Sequence, residues 1–459
     1  MFHGLMSLGS RMPESTAIRK FQRRFAGRVI LPGDSEYDSA RRIHNGAILR
    51  QPALIAMCTA ADDVCRAVEF ARENQLLVAV RSGGHSQAGH SVCDGGIVID
   101  LSGMKQVSID PACRLARAQT GLHAGDLDHA AQASGLATPV GQCPSVGLGG
   151  LTTGGGFGWL TGMHGLTCDN VVSAEVVTAD GRKLCADQHE NADLFWALRG
   201  GGGNFGVAVE FEYRLHPVSQ VIGGMLFYPM SQSRAGLVFM REYLSRAPDE
   251  LTASFGIRPA DGNPVFAIAL CFCGDPKNAQ RILGPLQSFT TPSSGSIGPL
   301  PYLQMQKLMG EWPSGSPLHT RGGFLRELTD AAIDAIVESA SRNTSPARLI
   351  SLDHYHGAMC RVAQEATAFS VRENGFGFLV QSEWDKPEEA SVQIAWIDAT
   401  IAALSPFSSQ TAYVANLGDE GPDRIKRCYG PNYPRLAALK RKYDPDNFFR
   451  LNQNILPPN

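Results

Sequence analysis

The chain has 459 residues, 43% hydrophobic and 19% charged, with a formal net charge of −3, which predicts about three domain-sized units with ample core. That charge offers nothing for nucleic acid or an anionic membrane to bind, and no run of about 18 or more apolar residues predicts a membrane span. The 11 cysteines are scattered without a C-x-x-C pair, and Cys271-Phe272-Cys273 is too tight for a zinc knuckle, so they read as reduced thiols with no metal site.

Met1 to Met12 reads as a disordered start. Arg11, Glu14, Arg19, Lys20, Arg23 and Arg24 follow one another without the apolar run of a secretory signal, and a cytoplasmic location is expected. Phe21 to Val29 is predicted as a short helix leading to the turn Pro32-Gly33-Asp34. Ser35 to Ile43 is predicted as a second, with Tyr37, Ala40 and Ile43 at helical spacing. Ala53 to Cys58 is a buried strand. Asp62 is expected to cap the helix Asp63 to Asn74, whose Val64, Ala67, Val68 and Ala71 share one face.

The strand Leu77 to Arg81 runs into Arg81-Ser82-Gly83-Gly84-His85-Ser86. Strands at Gly96 to Asp100 and Arg114 to Gln119 and a helix from Gly125 to Ser134 lead to a second glycine-rich stretch. It reads Gly141-Gln142-Cys143-Pro144-Ser145-Val146-Gly147, then Gly149-Gly150 and Gly154-Gly155-Gly156-Phe157-Gly158. Glycine lets backbone N–H groups approach a ligand, and successive N–H groups form a nest that suits phosphate. The spacing is neither the dinucleotide fingerprint nor the P-loop, which excludes both labels.

Val171 to Thr178 is a strand, and Asp180-Gly181 turns the chain back to Lys183-Leu184. Asp193 to Gly202 reads as a helix packed on a sheet and ended by glycine, with Phe195 and Trp196 in that packing. From Pro217 the texture changes. Met225 to Tyr228, Thr252 to Arg258, Val265 to Cys273, Leu349 to Gly357 and Gly375 to Trp384 are predicted strands of one antiparallel sheet. Helices at Arg234 to Ser245, Pro276 to Leu286, Asp330 to Ser341 and Glu388 to Leu404 would cover one face and leave the other for a ligand. Ser288 to Pro317, rich in Pro, Gly and Ser, reads as a long loop. A helix after Tyr429 ends in Lys440-Arg441-Lys442, whose charges suit the helix dipole.

At its glycine stretches, at Asp193 to Val207 and at Tyr429 to Ile455, the chain resembles the FAD-linked oxidases of the berberine-bridge-enzyme type, in the vanillyl-alcohol-oxidase superfamily. The resemblance runs from about Leu49 to Pro457. It implies an α+β fold. A PCMH-type FAD-binding domain of two subdomains would span 1–216, with its core at about 49–216. A substrate domain, its antiparallel sheet covered by helices on one face, would span 217–410. A C-terminal module, 411–459, would return to the FAD domain. The family's flavin-linked histidine, bonded to the 8α-methyl, maps to His85, and the cysteine bonded to C6 in many members maps to Cys143. Covalent FAD is therefore expected, doubly tethered. The resemblance also implies cofactor contacts from Arg81, Ser82, Gly83, Gly84, Ser86 and Gln87. The second stretch would add Gln142, Ser145, Val146, Gly147, Gly150, Thr153, Gly154 and Gly158. Val207, beside Gly206, would lie at the adenosine end, and Asn416 and Asn452 would reach the cofactor from the C-terminal part. Valine at 146, the position of the family's oxygen gate, resembles the oxidases.

The base is open at this point. The family's Tyr-x-Asn-[Tyr/Phe] run reads Tyr413-Val414-Ala415-Asn416-Leu417, so Asn416 stands where a tyrosine is usual, and Tyr413 could replace it only by a slip of register. His354 and His356 share one face of a strand and Tyr355 takes the other; if that face meets the flavin, a histidine could accept the substrate proton near neutral pH. Glu383 and Gln381 share a face of the next strand, and Glu383 and Tyr355 join the histidines, Asn416 and Tyr413 as catalytic candidates. Arg372 reads as structural. The expected activity is removal of hydride from a C–H beside a hydroxyl or amine of a small molecule, with molecular oxygen reduced to hydrogen peroxide, by a monomer or homodimer. The alternatives are a dehydrogenase or an oxidative cyclase, or a flavin-bearing protein without turnover.

Overall fold

The computed structural model describes residues 13–310, 315–342 and 348–458; the reading of residues 1–12 lies outside them. Short apolar runs without alternation build the first sheet. β1 (Arg28–Ile30), β2 (Leu54–Met57), β3 (Val78–Arg81) and β4 (Ile97–Asp100) pair in the order β1-β2-β4-β3. β2 and β3 flank β4 in parallel, and Leu54, Ile55, Ile97, Val98 and Ile99 are wholly buried. Burial on both faces explains the unbroken apolar runs.

The helix Ala61–Glu73 packs Val64, Ala67, Val68 and Ala71 against this sheet. Its start corrects the expectation about Asp62. The buried Asp63 carboxylate accepts the N–H groups of Ala26 and Thr59 and the Thr59 hydroxyl, while Asp62 pairs with Lys183 at the surface. The first helix also lies earlier than predicted, at Ser15–Arg24. Arg28 to Ile30 extend instead as β1, because pairing with β2 satisfies their backbone. The helix predicted over 35–43 shortens to Tyr37–Ala40.

β5 (Val107–Asp110), β6 (Leu115–Gln119), the short β7 (Leu136–Ala137), β8 (Val171–Val177), β9 (Lys183–Asp187), β10 (Val207–Arg214) and the short β11 (His216–Pro217) follow. Five of them form a second sheet in the order β5-β6-β10-β8-β9, and β7 pairs with β11. The helix Ala192–Leu198 buries Phe195 and Trp196 in the core beside this sheet, as expected.

The third sheet has seven strands. β12 (Gln220–Pro229), β13 (Leu251–Ala260), β14 (Asn263–Phe272), β15 (Ser294–Pro301), β16 (Leu318–Leu325), β17 (Arg348–Tyr355) and β18 (Gly375–Glu383) run antiparallel in the order β15-β12-β14-β13-β17-β18-β16. Leu237, Ile282, Ile333 and Ile397, from four helices, pack with Phe255, Ile268, Ile350 and Leu352 in one apolar layer on one face. β15 and β16 were not predicted. β15 lies inside the stretch read as loop, followed by the short helix Tyr302–Met305. Its Gly295, Gly298, Pro299 and Pro301 belong to an edge strand, where a missing N–H costs no ladder bond.

The last segment returns to the first two sheets. Phe449 joins the core of the first. The Lys440 ammonium is wholly buried and donates to Asn204 O, Phe449 O and Asp444 Oδ2, so its charge ties the C-terminal helix Tyr433–Tyr443 to the glycine run before β10. Arg372, as expected, is structural: it grips Asp169 with two hydrogen bonds of 2.8 and 2.7 Å. No helix among the described residues is long and apolar enough to cross a membrane.

Candidate active site at a glycine-lined cleft

The two glycine stretches meet backbone to backbone. A Cβ on Gly83 would lie 2.3 Å from the Gly147 nitrogen, and one on Gly147 would lie 2.1 Å from the Gly83 nitrogen. No other residue permits that approach. Ser82 Oγ donates to Thr120 O (2.5 Å) and accepts from Gly149 N (3.3 Å), which fixes the crossing. Above it opens a cavity of about 440 Å³ between the first two sheets and the uncovered face of the third.

Most of the predicted cofactor residues line this cavity: Ser82 to Gln87 from the first stretch, Gln142, Cys143, Val146, Gly147, Gly150, Thr153 and Gly154 from the second, then Val207, Asn416 and Asn452. Three expectations are corrected. Arg81 is buried beneath the turn in an ion pair with Asp100 (3.0 and 2.5 Å) and does not line the cavity. Gly158 abuts the Val140 carbonyl and is a packing glycine. Ser145 lies behind the lining but bridges two residues of it. Its Oγ is 3.1 Å from His85 Nε2 and 3.2 Å from Cys143 Sγ. The His85 ring stacks on His44 with centroids 4.1 Å apart. Burial, then the neighbouring His44 and His123, lower its pKa to about 3, so the imidazole is neutral at pH 7.

The site residues are chemically suited to FAD. Gln87 Oε1, both ring nitrogens of His90, Ser91 Oγ, Gln142 Nε2 and Asn452 Oδ1 are buried atoms without a hydrogen-bond partner, on residues that line the cavity. Buried polar atoms need partners, and a flavin dinucleotide carries the matching ring, ribose and phosphate groups. A Cβ at Gly150 or Gly203 would touch no protein atom within 4 Å, so the missing side chains keep the cleft wide.

The wall facing these turns comes from the third sheet. Leu349, Ser351, Asp353 and Tyr355 alternate along β17, joined by Ser254 of β13 and Leu379 of β18. The even residues Ile350 and Leu352 face the helices. His354 and His356 fall on that side and do not line the cavity. They stack on each other at 4.2 Å, and His356 Nε2 is 3.3 Å from Pro248 O. Burial pushes the His354 pKa down to about 3. The expectation of a histidine base is therefore corrected. Glu383 lies beyond the lining, accepting from Gln381 at 3.1 Å. Tyr413 lines the cavity, but its Oη accepts the Gly156 N–H (3.0 Å) and burial raises its pKa, so it is a positioned phenol. Tyr355 stacks on Phe157 and burial raises its pKa strongly.

The missed residue is Asp353. Its Oδ1 is buried without a partner; burial raises its pKa to about 6, with the Ser254 hydroxyl opposing. Packing of Ile350 and Leu352 under the helices assigns the odd residues of β17 to the ligand side; Leu349 is apolar too, so the sequence pattern alone did not separate the two faces.

Residues 52–185 match the family described as FAD binding domain, and residues 412–456 match berberine and berberine like. An FAD-linked oxidoreductase of Dictyostelium discoideum is 33% identical, over 96% of this chain and 97% of that protein. The (R)-6-hydroxynicotine oxidase of Paenarthrobacter nicotinovorans is 32% identical, over 94% and 97%. The crystal structure of 6-hydroxy-D-nicotine oxidase from Arthrobacter nicotinovorans superposes with a TM-score of 0.86 at 31% identity, covering 95% of this chain and 98% of that one. The glycine crossing, the cleft above it and these likenesses agree: the chain belongs to the berberine-bridge-type family of FAD-linked oxidoreductases.

Proposed function

We propose that this enzyme is an oxidase that takes hydride from a C–H beside a hydroxyl or amine of a small organic molecule, with O2 as electron acceptor and hydrogen peroxide as product. In this reading FAD is joined covalently to His85 and Cys143. Residues 1–216 and 411–459 serve the cofactor, and 217–410 the substrate. The observation that carries it is the unpartnered Asp353 Oδ1 on the wall opposite His85 and Cys143.

Bound FAD supplies the two-electron acceptor. The chain's own residues supply the rest. Asp353, with a pKa of about 6, is mostly ionised at neutral pH and is placed to accept the hydroxyl or ammonium proton as the neighbouring carbon gives up hydride. Tyr355, held as a phenol, orients the substrate by hydrogen bonding. Asn416 offers a neutral donor and acceptor from the cofactor side. The neutral His85 keeps a lone pair for attachment, and Ser145, between His85 and Cys143, can relay the proton released by the thiol. Val146 presents a small side chain to the cavity, which supports access for oxygen. The hydroxynicotine oxidases among the relatives support a small-molecule amine or alcohol as substrate.

The test is oxygen uptake by flavin-loaded protein over a panel of alcohols, sugars and amines. One peroxide per oxygen consumed is expected, and Val146→Leu is expected to slow reoxidation far more than reduction. Substrate reduction of the flavin without oxygen uptake in the unsubstituted enzyme would identify a dehydrogenase instead.

A further inference from the structure

β13 carries a cation that the chemistry above does not use. Ser254 pairs with Asp353 and Ile257 with Ile350 in unbroken register. Arg258 therefore shares the face of Ser254 and comes level with Leu349. Ser254 and Leu349 both line the cavity, and Arg258 stands next to them just beyond its lining. The Arg258 guanidinium is half-buried and donates to Met225 Sδ at 3.4 Å. Met225 belongs to an apolar cluster that includes Met309, itself part of the cavity lining. No carboxylate among the described residues pairs with Arg258, and burial alone lowers its pKa. The acids on the same side stand at other points of the sheet: Asp353 is level with Ser254, and Glu383 accepts from Gln381.

A guanidinium taken from water without a counter-charge is costly, and methionine would fill the space without that cost. The five N–H donors of arginine match a carboxylate with two parallel hydrogen bonds. Resting on the oxidase reading, we propose that Arg258 recognises the anionic end of the substrate, so that the substrate is a small organic acid. The carbon that loses hydride sits at Asp353 and the carboxylate at Arg258. From strand spacing and rise, the backbones at these two points are about 14 Å apart, and the reach of the arginine side chain can shorten the gap to on the order of 10 Å. That span excludes α-hydroxy and α-amino acids, in which carboxylate and reacting carbon are neighbours. It selects an aryl or extended-chain acid with its hydroxyl or amine at the far end.

The experiment uses flavin-loaded protein and three probes, benzoate, 3-phenylpropanoate and 5-phenylpentanoate, each beside its amide. Binding is read from the visible flavin band and from the melting temperature. At least one carboxylate is expected to bind tenfold or more tightly than its amide. Arg258→Met is expected to abolish that preference while melting no lower than the unsubstituted protein, since an unpaired cation has gone. Arg258→Lys is expected to retain part of it. A panel in which no carboxylate outbinds its amide overturns the proposal, as does a preference that survives in Arg258→Met. Carboxylate preference without oxygen uptake counts against the oxidase reading alone. Oxygen uptake on neutral substrates without the preference counts against Arg258 alone.

Discussion

A carboxylate shielded from water holds its proton more tightly than one in solvent, and so becomes a better base near neutrality. Asp353 meets that condition, with a pKa of about 6 and a free Oδ1 facing the cleft. Because a base must be ionised to work, the rate of flavin reduction is expected to rise with pH through about 6 and then level off. Asp353→Asn is expected to lower kcat by about 10²- to 10⁴-fold and remove that limb, leaving flavin content unchanged. Stopped-flow reduction across pH checks it; an unchanged limb in the variant assigns the titration elsewhere. The sequence drew attention to His354 and His356, the more familiar bases, because local pattern does not say which side of a strand meets the ligand. A shift of one residue exchanges the faces. The helices that settle the matter lie far along the chain, so the choice between Asp353 and its neighbours is made by tertiary packing.

At the scale of elements, the crossing of the two glycine turns sets the cleft. Gly83 and Gly147 leave no room for a methyl group, whereas Gly150 faces open space. Gly83→Ala and Gly147→Ala are expected to cost both stability and flavin content. Gly150→Ala is expected to fold as before but to lose flavin, since its methyl enters the cofactor space. Melting curves and flavin-to-protein ratios separate the two outcomes; equal melting losses in all three variants would place the steric cost elsewhere. These turns were legible because a close approach is written in contiguous glycines. The edge strand β15 was not, because its glycines and prolines follow turn chemistry locally and become a strand only through pairing with β12. The full burial of Lys440 was not legible for a similar reason. Its partners Asn204 and Phe449 come from separate segments, and a lysine in a last helical turn is ordinarily solvated.

At the scale of the whole molecule, the third sheet and the first two are joined through a buried polar contact. Gln306 Nε2, just after the helix following β15, donates to Asp128 Oδ2 (2.5 Å) and to Gly141 O (3.3 Å), at the head of the stretch that carries Cys143. Burial raises the Asp128 pKa to about 7, and the Gln306 bond opposes it. A carboxyl whose pKa is higher folded than unfolded stabilises the fold at low pH, and that stability is lost as pH rises through the folded value. Asp128→Asn is therefore expected to melt higher than the unsubstituted protein at pH 8 and alike at pH 4. A lower melting temperature at pH 8 would mean that the carboxylate is better held than this geometry allows. The family and the core of the antiparallel sheet were legible from motifs, since glycine stretches and apolar runs are local; the joint between the sheets was not, since Asp128 and Gln306 are 178 residues apart. The proposed attachment of FAD through His85 and Cys143 is read from the mass and visible spectrum of the intact, denatured protein. The expected result is the chain plus one FAD with flavin colour retained, one bond surviving in Cys143→Ala and none in the double variant with His85→Ala. The mass of the bare chain, with the colour released to the supernatant, would contradict it.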